Sequence, residues 1–187
     1  MIVKELKLPG VKILVPKVLA DERGALSETY TKRRLASFGI DVEFVQDNHS
    51  VSMGAGTIRG LHFQLPPAAQ DKLVRVVRGR IFDVAVDVRR GSPSFGQHAS
   101  VELSAECWSQ IFIPKGYAHG FCTLEDDTEV LYKTSDYYAP DLDRGIAWND
   151  PDLGIAWPVA AAEALLSERD RKLPRLRDAT ELFDYRT

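Results

Sequence analysis

Alternation of apolar and polar positions dominates this chain and is clearest around residues 81–88. Phe82, Val84, Val86 and Val88 fall on one parity, and Ile81, Asp83, Ala85 and Asp87 on the other. This is the period-two pattern of a strand whose two faces meet different surroundings. An apolar run at 73–77 precedes it across Arg78-Gly79-Arg80, a glycine-bearing turn that predicts a β-hairpin. The same reasoning predicts strands at 11–15, closed by Pro16, and at 25–30, after the turn Asp21-Glu22-Arg23-Gly24. It continues with strands at 42–53, broken by Gly54-Ala55-Gly56, and at 98–103, 109–113, 119–124 and 128–134. Helical spacing is confined to 31–38, stopped near Gly39, and to 159–166, with a further turn starting at Ser167. Beyond residue 135, Tyr137-Tyr138-Ala139-Pro140, Asn149-Asp150-Pro151 and Trp157-Pro158 predict irregular loops.

Many short strands with few helices predict a mainly β fold, an antiparallel jelly-roll barrel with a few short helices. With no internal repeat or linker, residues 1–187 are expected to form one domain. Its barrel core would span roughly residues 40–135, with N-terminal strands and C-terminal loops and helices packed around it.

Composition narrows the function. Hydrophobic residues make up 44% of the chain, enough for a packed core. The formal net charge of -3 argues against general affinity for nucleic acid or anionic membranes. No stretch approaches a membrane span, and charges interrupt the first apolar residues where a signal peptide would need a continuous run. Cys107 and Cys122 form no CxxC pair and read as buried, reduced thiols of a cytoplasmic protein.

Candidate chemistry gathers in a few segments. His62 lies in Arg59-Gly60-Leu61-His62-Phe63-Gln64. Three positions separate Arg59 from His62, which in a regular strand puts them on opposite faces. A bulge at Gly60 would aim both inward. A lone strand histidine is more often structural than catalytic. His119 follows Pro114-x-Gly116 in a pattern that resembles the second motif of the cupin superfamily, barrels that often hold a metal. The place of the usual second histidine of the first motif holds Gln64, a poor ligand, so no metal is expected. Tyr132 reads either as a core tyrosine or as a proton donor whose phenolate nearby cations would stabilise. Asp170 stands in Ser167-x-x-Asp170, spacing that favours a helix cap over a partner for an imidazole. Arg59 and Lys72 border apolar strands, where a buried cation calls for an anionic ligand such as a phosphate.

Taken together, the chain resembles the dTDP-4-dehydrorhamnose 3,5-epimerases over residues 2–180. The ordered signatures are Asp21-x-Arg23-Gly24, Gln46-Asp47-Asn48-x-Ser50, Arg59-Gly60-Leu61-His62-Phe63-Gln64, Lys72-Leu73-Val74, Gly79-x-x-x-Asp83-Val84-x-Val86-Asp87, Pro114-x-Gly116-x-x-His119-Gly120-Phe121, Tyr132-Lys133 and Leu166-Ser167-x-x-Asp170. The resemblance implies a cofactor-free homodimer of cupin fold that inverts C3 and C5 of dTDP-4-dehydro-6-deoxy-D-glucose. It implies that His62 is the base, Asp170 its partner, Tyr132 the acid on the opposite face of the sugar, and Lys72 a cation near the 4-keto oxygen. Arg23, Glu28, Gln46, Asn48, Arg59 and His119 match substrate contacts, and Tyr138 an aromatic that stacks on thymine. An N-terminal strand crosses to the partner in the family, so Arg23 is expected to serve the neighbouring site. Three positions depart from the pattern: Leu26 stands where Phe is usual, Asp143 for Glu and Arg169 for Lys. The last two keep their charge at substrate-contact positions. The rival readings are an epimerase acting at C3 alone, a metal-dependent cupin, and a sugar-nucleotide binding module without turnover.

Overall fold

The computed structural model describes residues 1–185. In chain order the strands are β1 (Ile2–Glu5), β2 (Lys12–Val15), β3 (Val18–Asp21), β4 (Gly24–Ser27), β5 (Gln46–Ser52), β6 (Ile58–Gln64), β7 (Lys72–Arg78), β8 (Arg80–Asp87), β9 (Arg89–Arg90), β10 (His98–Ser104), β11 (Gln110–Ile113), β12 (Tyr117–Thr123), β13 (Thr128–Thr134), β14 (Asp143–Gly145) and β15 (Phe183–Asp184). One α-helix, α1 (Lys32–Ala36), precedes β5. Two antiparallel sheets face each other, ordered β1-β2-β11-β7-β13-β5 and β10-β8-β12-β6-β14. This is the expected mainly β jelly-roll architecture.

The parity read from residues 81–88 sets the layers. Ile81 and Ala85 point between the sheets into a core with Val74, Val76, Ile111, Phe121 and Val130. Val84, Val86 and Val88 point outward, with Leu61, Phe63 and Ala118 from neighbouring strands. That outer face is covered by the irregular C-terminal segment through Ile146, Leu153, Leu176 and Ala179. Loops there bury apolar area at roughly 25 cal/mol per Å² as well as a helix would. Around Leu14, Leu73 and Phe112, the six-stranded sheet is covered by Leu35 of α1 and by Ile40.

Several expectations need correction. Residues 159–166 form no helix. Glu163 and Ala164 close a single turn onto the Ala160 carbonyl, and then the chain extends. Leu165 bridges to Thr57, its N–H bonding to Gly56 and its carbonyl accepting from Ile58. Two inter-segment bonds outweigh the helix propensity of the alanines, which is a few tenths of a kcal/mol per residue. The strand foreseen at 42–53 begins at Gln46, the one foreseen at 25–30 ends at Ser27, and β1 was not foreseen. Cys107 is exposed, because it lies in the surface turn between β10 and β11; Cys122 is buried.

Candidate active site

The interior is apolar at one end and polar at the other, and the change can be followed along two paired strands. Val130 opposes Val76, Tyr132 opposes Val74, and Thr134 opposes Lys72. Beyond the valines the barrel opens into a cavity of about 510 Å³ lined by Arg59, His62, Lys72, His119, Tyr132 and Asp170, among others. A second hollow of about 410 Å³ shares His62, Lys72, Tyr132 and Arg169 with it and continues to Gln46, Asn48, Tyr138 and Asp143. The two form one cleft with a deep end and an outer end.

The β6 backbone explains how Arg59 and His62 both face this cleft. His119 pairs with His62, but Phe121 pairs with Arg59, so β6 carries one residue more than β12 over the same span. This is the bulge expected at Gly60. Gly60 has φ +127°, and a Cβ there would lie 2.5 Å from Gly120 Cα. A Cβ on Gly120 would meet the Arg59 carbonyl at 2.7 Å. The close approach therefore needs glycine on both strands.

His62 Nε2 lies 2.6 Å from Asp170 Oδ1; Asp170 is 5% exposed and the imidazole 28%. Burial opposes the Asp170 charge. The His62 hydrogen bond and charge, the Gly60 N–H and the Ser167 bond outweigh it, and the carboxyl lies below its ordinary pKa. An ionised Asp170 accepts from Nε2–H, which leaves Nδ1 with the free lone pair. The Ser167 hydroxyl also accepts the Asp170 N–H at 3.0 Å. The turn-closing and imidazole-binding readings of Asp170 therefore hold together.

Tyr132 enters from β13, in the sheet facing that of His62. Burial raises its pKa, Arg59 opposes the rise and Asp143 adds to it, so the hydroxyl keeps its proton at neutral pH. Lys72 starts β7 and reaches across to the His62 carbonyl at 3.3 Å. Burial pushes its pKa down to about 8, with Asp143 and Asp83 working against the fall. At neutral pH it is mostly cationic and close to losing its proton.

At the outer end, Asp143 Oδ2 holds Arg169 at 2.6 Å and accepts from the Tyr138 hydroxyl at 3.2 Å. The Gln46 side chain binds Asn48 and the Tyr138 N–H. Gln64 uses its amide on the backbone of Ala68, Tyr137 and Ala139, fixing the loop that presents Tyr138. Among the described residues no three His, Cys, Asp or Glu side chains gather as a metal cage.

Two expected residues stay outside the cleft. Arg23 is 84% exposed at the tip of the β3–β4 hairpin, paired with its own Asp21 at 2.6 Å. Glu28 pairs with Arg34 at 2.9 Å and borders a separate groove with Tyr30, Arg75 and Lys133. The pairing of His119 Nε2 with the fully buried Asp83 at 2.8 Å was not singled out from sequence. The inward parity of Asp83 between Ile81 and Ala85 was the available signal.

Comparison with known proteins follows the same lines. A family profile described as dTDP-4-dehydrorhamnose 3,5-epimerase matches residues 5–178. The dTDP-4-dehydrorhamnose 3,5-epimerase of Shigella flexneri is 50% identical over 165 residues, 88% of this chain and 90% of its own. The crystal structure of the dTDP-6-deoxy-D-glucose-3,5-epimerase of Legionella pneumophila Philadelphia 1, in complex with dTDP-4-keto-L-rhamnose, superposes with a TM-score of 0.93 at 41% identity, covering 99% of this chain and 98% of that one. That of the Bacillus anthracis str. Ames enzyme, with TDP and PPi bound, gives 0.90 at 48% identity, over 92% and 98%. By the profile, these identities and the superpositions, the chain belongs to the dTDP-4-dehydrorhamnose 3,5-epimerase family.

Proposed function

We propose that the protein inverts C3 and C5 of dTDP-4-dehydro-6-deoxy-D-glucose to give dTDP-4-dehydro-L-rhamnose, by proton transfer through an enolate. One observation carries this reading: the His62–Asp170 pair and the Tyr132 hydroxyl line one cavity from opposite sheets, with Lys72, at the start of β7, on the same lining. The 4-ketone acidifies the protons on C3 and C5. Inversion requires each proton to leave one face and return on the other, which two groups on opposite walls can do and a single base cannot.

His62 Nδ1 removes the proton, and the buried Asp170 carboxylate stabilises the imidazolium formed. The Lys72 ammonium stabilises the developing enolate oxygen; an oxyanion donor of this kind is worth about 2.7–4 kcal/mol. Tyr132, protonated at neutral pH, delivers a proton from the other side. Asp143, Arg169, Tyr138, Gln46 and Asn48 at the outer end hold the dTDP portion, and Arg59 and His119 the deep end. The working form is a homodimer with N-terminal strand exchange, a reading supported by the exposed hairpin that carries Arg23.

Incubation with the substrate in deuterium oxide, followed by NMR of the product, tests this directly. Deuterium at both C3 and C5 is expected. Label at C3 alone would establish the single-site alternative, and no label would refute the proposal.

A further inference from the structure

His62 is not the only imidazole on the cavity wall held by a carboxylate. His119 is its register partner on β12 and binds Asp83 of β8. Asp83 is fully buried, between Ile81 and Ala85 on the core-facing side of β8. Its second oxygen accepts no hydrogen bond from the described residues. Among those residues no lysine or arginine pairs with it. A buried carboxylate with so little compensation carries a standing desolvation cost. An apolar residue of the same parity would pack with its neighbours at no such cost.

We propose that Asp83 is a positioning residue for the reaction: it fixes His119 as the Nε2–H tautomer and supplies counter-charge to the Lys72 ammonium. The inference rests on the function proposed above and names a further residue of the same site. The charged and titratable groups around Lys72 are Arg59 and His62 on β6, His119 on β12, Tyr132 on β13, Asp143 on β14, and Arg169 and Asp170 in the C-terminal turn. Among the anions, Asp170 is engaged by His62 and Asp143 by Arg169. Asp83, like Asp170, is held by an imidazole and has no guanidinium or ammonium partner among the described residues. It acts on Lys72 through space, second to Asp143, and burial of Lys72 is what makes that help count: the ammonium sits near its titration point, at about 8.

The sign follows. Removing the anion makes the ammonium easier to deprotonate, so activity that requires charged Lys72 is lost at lower pH. Asp83→Asn keeps an oxygen able to accept from His119 while removing the charge. The expected result is a folded protein with KM changed less than threefold and kcat lowered about tenfold or more at pH 8. The basic limb of its pH–rate profile should move down by about one unit. A folded variant with the wild-type limb and kcat would overturn the charge role, and so would a loss of kcat with no movement of the limb. The tautomer is read independently of turnover and in the wild-type protein, from the imidazole ¹⁵N shifts of His119. A neutral imidazole with its proton on Nε2 is expected. An Nδ1–H or averaged signal would overturn the positioning role even if Asp83→Asn failed to fold. Wild-type deuterium incorporation, measured alongside, separates failure of this inference from failure of the epimerase reading.

Discussion

The deep end of the barrel and the β3–β4 hairpin both carry residues of one family signature, yet a single chain treats them in opposite ways. In the barrel, His62, Lys72, Tyr132 and Asp170 come from distant points in sequence and meet around one cavity. In the hairpin, the Arg23 side chain binds only its own Asp21 among the described residues, and Leu19 and Leu26 are 56% and 72% exposed. Two strands of four residues cannot bury their own side chains. Exposed leucines on such an arm support the proposed contact with a second copy. On the proposed reading the acid–base groups all come from one chain, whereas the end proposed to hold the nucleotide is completed by a second copy.

This division can be tested by attacking the barrel first. His62→Ala is expected to cut solvent deuterium incorporation at C3 and C5 by about 10²–10⁴-fold, the usual worth of a positioned base. The variant should fold, since the imidazole is partly exposed and makes one side-chain bond to Asp170. Exchange at the wild-type rate would show that the proton leaves by another route. Tyr132→Phe removes only the hydroxyl and sharpens the geometry. Inverted product should fall about 10²-fold while exchange at the abstracted carbon persists, because His62 still takes and returns a proton on its own face. If exchange and inversion fall in parallel, the two groups do not divide the faces of the ring.

Much of the barrel half was legible in sequence, for a physical reason. Strand periodicity and glycine positions are local, so residues 128–134 and the face assignment on β8 came directly from the pattern. Even the bulge at Gly60 followed from the three-residue spacing of Arg59 and His62. What remained hidden was set by partners far away in the chain. The stretch 159–166 looks helical by itself and extends only because Thr57 pairs with Leu165. Asp170 fits a cap by spacing, and only the fold shows that its carboxylate also meets His62. Asp83 carried no role of its own in sequence because an acidic residue in an apolar strand, like Asp87 on the same strand, resembles many edge positions until its neighbours are known.

The hairpin half predicts smaller changes of a different kind. Arg23→Ala should raise KM roughly 10–100-fold, from loss of one charged contact worth about 1.5–3 kcal/mol, while kcat stays near wild type. Its elution on size exclusion should remain that of the proposed dimer, since among the described residues Arg23 bonds only Asp21 through its side chain. An unchanged KM would place the hairpin away from the nucleotide and return the comparison to a single self-sufficient barrel. A monomeric elution would shift the role of Arg23 from substrate to assembly.

The finest test uses Leu26, the residue that departs from the aromatic usual at its position. It lies on β4 opposite Leu19 and is among the most exposed large side chains of the described residues. Replacing one exposed apolar group with another should leave stability within about 0.5 kcal/mol. If the hairpin reaches a thymine ring in a second copy, Leu26→Phe adds a stacking face worth about 0.5–1.5 kcal/mol. The dTDP dissociation constant should then fall roughly 2–10-fold by calorimetry, with kcat unaffected. A Tyr138→Ala background makes the test specific. A ring stacked on two sides loses part of the Leu26→Phe gain when the opposite face is removed, whereas two unrelated contacts give additive changes. Additivity would therefore separate Leu26 from the nucleotide and confine it to the contact between subunits.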